Sequence, residues 1–170
     1  MNRRCILVMG VGLFTGCGDD ETTSPATFDF TPESLGSGPA LGIREGSFEG
    51  SSLRLVLAAT GLADLFGFAI EIAHPAGLRF ESFVPTELFP VGTDVVTRKL
   101  TETTLHLAVA PRRSPPTLSV ADYDLGTLTF TRLEDPSGEL QIYGARSEVF
   151  AQNGFPRRDV AYSGGRIERR

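Results

Sequence analysis

Two histidines, two cysteines and one close pair of aspartates are the residues of this sequence whose chemistry could reach beyond packing. His74 stands beside Pro75 at a turn, and His106 faces away from the alternating Leu105 and Leu107. A metal centre needs three or four convergent ligands, and no cysteine lies near either histidine to complete one. His106 therefore reads as a solvent-facing strand residue. Asp122-Tyr123-Asp124-Leu125-Gly126 has the look of a cation loop, but calcium takes six to eight oxygens. Two carboxylates fall short, so the segment reads as a polar turn leading into a strand. An activated serine would sit in a G-x-S-x-G elbow, and none occurs. Gly10-Val11-Gly12 starts like a dinucleotide fingerprint but lacks the third glycine. The expectation is a non-enzymatic chain with no catalytic residue, no metal and no cofactor.

The cysteines belong to a different chemistry. Met1-Asn2-Arg3-Arg4 is a short basic start, and Ile6 to Phe14 is a nearly unbroken apolar run. That run is too short to span a hydrocarbon core as a helix, and it suits the middle region of an export signal. It ends in Leu13-Phe14-Thr15-Gly16-Cys17, which resembles the bacterial lipobox, with Phe14 where leucine is usual. The resemblance implies cleavage of residues 1–16 and a diacylglycerol on the Cys17 sulfur. It also implies a protein held to a membrane of the cell envelope through that lipid. Cys5 would leave with the signal, so the exported domain would have no disulfide and would rely on burial and sheet hydrogen bonds. Residues 17–38 are rich in Ser, Thr, Gly, Pro and acid, and read as the lipidated N-terminus and a solvated tether. Within them Thr27-Phe28-Asp29-Phe30 alternates too briefly to decide on a strand.

The elements that would position any site come from the rest of the chain. A composition of 41% hydrophobic and 22% charged residues suits a folded domain. A net charge of −5 without interleaved basic and aromatic residues excludes a nucleic-acid partner. Alternation with period two, which a strand with one buried face requires, dominates residues 39–170. Leu53, Leu55 and Leu57 share one face; so do Phe66, Phe68, Ile70 and Ile72, then Leu78 and Phe80. Leu105, Leu107 and Val109 follow beyond the irregular stretch 83–99, and Leu128 and Phe130 beyond the proline-rich loop at Pro111–Pro116. Leu140 and Ile142 complete the set, with a last short strand around Gly164-Gly165. About eight or nine strands without a helix predict an all-β, two-sheet sandwich. Its expected core is Leu55, Phe68, Ile70, Leu78, Phe80, Leu107, Leu128, Phe130 and Ile142.

Gly61-Leu62-Ala63, Gly67-Phe68-Ala69-Ile70-Glu71-Ile72, Leu78-Arg79-Phe80 and Leu125-Gly126-Thr127-Leu128-Thr129-Phe130 together resemble a cohesin domain. The resemblance covers roughly Pro39 to Phe150. It implies a sandwich of jelly-roll topology that binds a dockerin-like module, or another envelope protein, through one sheet face. His74-Pro75-Ala76-Gly77-Leu78 departs from the family's usual Tyr-Asp-Pro-x-x-Leu by being one residue shorter. The family's polar contact residues lie on the outer face of the strand that here carries Gly67, Ala69, Glu71 and Ala73. These four are the candidate partner-binding residues.

That outer face is unusual in its own right. A solvated sheet face carries long polar side chains, as Thr127, Thr129 and Thr131 do, whereas Gly67, Ala69 and Ala73 leave Glu71 as the sole projection. Either the chain covers this face, for instance with the loop around Pro85–Pro90, or a partner's backbone does. The alternative function is a carbohydrate-binding module that takes a polysaccharide. Such modules stack sugars on exposed aromatics, and the sequence offers no Trp and only Tyr123, Tyr143 and Tyr162. The basic features, Arg112-Arg113 and the C-terminal arginines, read as solvated charges.

Overall fold

The computed structural model describes residues 26–113, 115 and 122–170. Cys17 and the export signal lie outside them. The alternating segments become strands in the expected places: β1 (Phe28–Pro32), β2 (Ala40–Glu49), β3 (Ser52–Thr60), β4 (Leu65–Ala73), β5 (Leu78–Pro85), β6 (Asp94–Thr101), β7 (Thr104–Ala110) and β8 (Asp122–Arg132). They continue as β9 (Gly138–Ile142), a 3-10 turn at Gly144–Arg146, β10 (Glu148–Ala151), β11 (Pro156–Arg157), β12 (Ala161–Ser163) and β13 (Gly165–Arg169). Five strands form one sheet in the order β12-β2-β3-β8-β5. The other eight form a second sheet centred on β4, which is flanked by β7 and then β6 on one side and by β9 and β10 on the other.

Burial explains the pairing. Leu53, Leu55, Leu57, Leu128 and Phe130 from the first sheet are fully buried against Phe68, Ile70, Ile72 and Leu107 from the second. Phe68 meets Phe83 edge-on at 6.3 Å, and Phe130 is wedged between Phe80 at 5.5 Å and His74 at 5.2 Å. Offset and edge-on contacts of this kind add to the gain from burial alone. All the expected core residues are buried except Phe80, which is partly exposed because β5 is an edge strand and bulges between Phe80 and Ser82. A second bulge, opposite Leu57 and Ala58, gives β8 one extra residue and breaks its strict alternation, which is why Leu125 and Gly126 are both buried.

Thirteen strands exceed the expected eight or nine for a local reason. β9 and β10 run along the same edge of β4 as one strand interrupted by the 3-10 turn, and the added β11 and β12 are two and three residues long. The sandwich also begins before Pro39. β1 pairs with β13, and Phe28 is buried against Phe48 and under the Arg132 guanidinium, 5.1 Å from the ring. Residues 28–32 of the expected tether are thus part of the sheet, held by partners more than 130 residues away that no local pattern could reveal. The last strand divides in two: β12 joins the first sheet and β13 the second. The chain switches sheets at Gly164, where a Cβ would lie 1.8 Å from the Leu140 carbonyl oxygen. Only glycine fits there.

Candidate partner-docking face

Register places the outer face of the second sheet residue by residue. Directly paired residues share a face. Ala69 of β4 pairs with Ala108 of β7 on one side and Glu148 of β10 on the other, and Ala108 in turn pairs with Val96 of β6. The next row is Glu71, His106 and Arg98, and the one after it Ala73, Thr104 and Thr101. Toward the other end, Gly67 pairs with Phe150, and Ala110 with Asp94. Strands about 4.8 Å apart therefore carry a shallow trough floored by Ala69 and Ala108. Exposed Val96 flanks it on one side and half-buried Phe150 on the other.

The four sequence-selected residues differ in what covers them. Gly67 is buried by its own chain: a Cβ there would lie 2.5 Å from the Val109 carbonyl oxygen and 3.3 Å from Pro111 Cδ. Glu71 is not a free projection. Its side chain is 5% exposed and is paired with Arg146 of the 3-10 turn at 2.8 Å. The same turn replaces the ladder bonds that β9 and β10 fail to give Glu71. The Glu71 amide donates to Ser147 Oγ, and the Tyr143 amide donates to the Glu71 carbonyl. The Ser147 hydroxyl in turn donates to the Tyr143 carbonyl. The loop at Pro85–Pro90 does not cover this face. Phe89 turns inward onto Phe68, 6.2 Å away, and the loop closes one end of the core. Ala69 and Ala73 remain half-exposed.

Charge borders the trough. Arg112 holds Asp94 at 3.0 Å, and that hydrogen bond, with the guanidinium charge, keeps the carboxyl below the usual carboxylate range. Glu148, His106 and Arg98 occupy the remaining border positions. Sequence reasoning missed Ala108, although Leu105, Leu107 and Val109 already assign it to the outer face. It also missed Arg146 and Ser147, because Glu139–Phe150 reads as one uninterrupted strand.

The other candidate chemistry is committed to structure. Asp124 is paired with Arg44 at 2.5 Å, and Asp122 and Asp124 both lie in β8 rather than in a turn. Among the described residues, no group of three His, Cys, Asp or Glu side chains could hold a metal ion, and no helix is long and apolar enough to cross a membrane. The Tyr123 hydroxyl donates to the Leu62 carbonyl; burial, and then the Asp64 charge, push its pKa up. Tyr162 is half-buried, so Tyr143, at 40% exposure, is the one tyrosine open to solvent.

No family model and no curated protein sequence matches the chain. Solved structures do. The sixth cohesin of scaffoldin B from Acetivibrio cellulolyticus, in complex with a Cel5 dockerin, superposes with a TM-score of 0.59 at 16% identity, over 75% of this chain and 96% of that one. The second type II cohesin module of the ScaA scaffoldin from the same organism gives 0.58 at 15% identity, covering 77% and 95%. A non-cellulosomal cohesin from the archaeon Archaeoglobus fulgidus gives 0.56 at 13%, covering 75% and 88%. The fold is an all-β sandwich of the cohesin kind.

Proposed function

We propose that this chain is a non-enzymatic, protein-binding module that docks a dockerin-like or other envelope protein on the outer face of its second sheet. The observation that carries this reading is the half-exposed Ala69–Ala108 floor between Val96 and Phe150. An apolar, side-chain-poor surface with charged borders lets a partner's backbone approach closely, and interfaces place apolar contacts at the centre and charge at the rim. The cohesin fold supports the same reading, and one of the similar cohesins was solved with a dockerin.

Export and lipid anchoring at Cys17 belong to the proposal. Ala26 and Thr27 lie beside Arg132 and Arg170 at the end of the sandwich where β4 finishes. Gly67, Ala69 and Ala108 occupy the other half of the sheet. A tether to a membrane at Cys17 would present the trough away from that surface.

Replacing Ala69 with Arg fills the floor with a long cation. The variant is expected to fold as wild type and to lose the protein that the wild-type domain retains from extract of its own cells. Polysaccharide retention measured in parallel tests the carbohydrate alternative. Retention of the same partner by both forms would sink the docking assignment. Replacing Cys17 with Ser is expected to move the protein from the membrane fraction to the soluble one, or to leave it unprocessed.

A further inference from the structure

A second site lies away from the trough, where the two sheets part. β5 and β6 are edge strands of opposite sheets, and a cleft of about 380 Å³ opens between them. Leu78 and Leu105, each 2% exposed, form its apolar floor together with His74, which is 6% exposed. Phe80 lines one wall, and Leu133, 55% exposed, stands at the mouth.

His74 gives the floor a defined polarity. Its Nδ1 lies 3.0 Å from the Pro75 carbonyl oxygen. A carbonyl only accepts, so Nδ1 carries the ring proton and Nε2 presents a lone pair. Burial, reinforced by the positive charge of Lys99, holds the imidazole pKa below its usual value, so the ring is neutral at pH 7. Nε2 has no hydrogen-bond partner among the described residues. It is an acceptor without a donor, set in a hydrocarbon floor.

The mouth favours an anion. Glu81 already accepts from Arg79 at 2.9 Å, and Glu102 from Lys99 at 2.6 Å. Glu102 is 90% exposed and loses little if a competing carboxylate takes Lys99 from it.

We propose that this cleft binds a small aromatic hydroxy acid, whose hydroxyl donates to His74 Nε2 and whose ring rests among Leu78, Phe80 and Leu133, with its carboxylate meeting Lys99 at the mouth. A sugar would bring hydroxyl groups to Leu78 and Leu105, which cannot pair them, and buried polar groups left unpaired oppose binding. A flat ring leaves none unpaired and packs edge-on to Phe80.

Calorimetric titration of the full chain at pH 7.5 with 3-(4-hydroxyphenyl)propionate and with 3-phenylpropionate tests the assignment. The hydroxylated acid is expected to bind about tenfold more tightly, the worth of one hydrogen bond to a buried acceptor. His74→Phe keeps a ring against Phe130 and is expected to erase that preference while 3-phenylpropionate still binds. Leu133→Arg, at an exposed position, should weaken both ligands by blocking the mouth. Equal affinity for the two acids in wild type overturns the proposal, as does binding of glucuronate in place of both. A hydroxyl preference that survives in His74→Phe overturns it too.

Discussion

The two outer faces of the sandwich are built on the same alternation and carry opposite surfaces. On the first sheet, Arg54 lies between Ser47 and Thr129, and Thr131 between Ser52 and Arg79. These are polar side chains on antiparallel strands with one face in water. On the second sheet the equivalent rows hold Ala69 with Ala108, and Glu71 already neutralised by Arg146. Inner faces are selected for volume and are much alike. Outer faces are where the two sheets diverge, so function is to be sought there.

The largest expected effect tests the shared half of that comparison. Phe68→Ala and Phe130→Ala remove fully buried rings from opposite sheets, and each should cost about 3–5 kcal/mol in urea unfolding. A large disparity would mean that the sheets do not share one core. The next effect separates the outer faces. Gly67→Ala drives a Cβ into the backbone of β7 and should cost about 1–3 kcal/mol. Thr129→Ala on the solvated face should stay within about 0.5 kcal/mol. Equal costs would break the contrast.

Smaller still is the loss of the ion pairs. Arg146→Ala leaves the Glu71 carboxylate buried without its cation, and because Arg146 is itself 69% exposed the cost is about 1 kcal/mol. Arg54→Ala, whose partner Glu49 lies 3.8 Å away in solvent, should be near neutral. The mildest effect is a pH slope. Burial lowers the folded-state pKa of His74 below 6.5, so between that value and 6.5 the unfolded chain binds the proton more readily. Stability should be level with respect to this group above pH 6.5 and fall as pH drops toward the lower value. The difference in unfolding free energy between wild type and His74→Phe, followed from pH 7.5 to 5, isolates that contribution. A difference that does not change with pH would refute the buried neutral imidazole.

The sequence by itself determined the sandwich and nearly all of its core, because a strand with one buried face must alternate, and that period is local. It located Gly67, Ala69, Glu71 and Ala73 on one outer face for the same reason. What covers each of them was decided only in the tertiary structure. Arg146 reaches Glu71 from 75 residues away, through a turn that interrupts what reads as a single strand. Pro111 closes over Gly67, and Phe89 turns inward, because sheet order and loop path bring them there. The membership of Phe28 in the sheet depended on β13 at the far end of the chain. The lone pair of His74 pointed to a site only once Pro75 had fixed its tautomer and two edge strands had framed a cleft around it. Periodicity records which way a side chain faces; what it meets there is set by contacts between distant parts of the chain, and no local pattern encodes those.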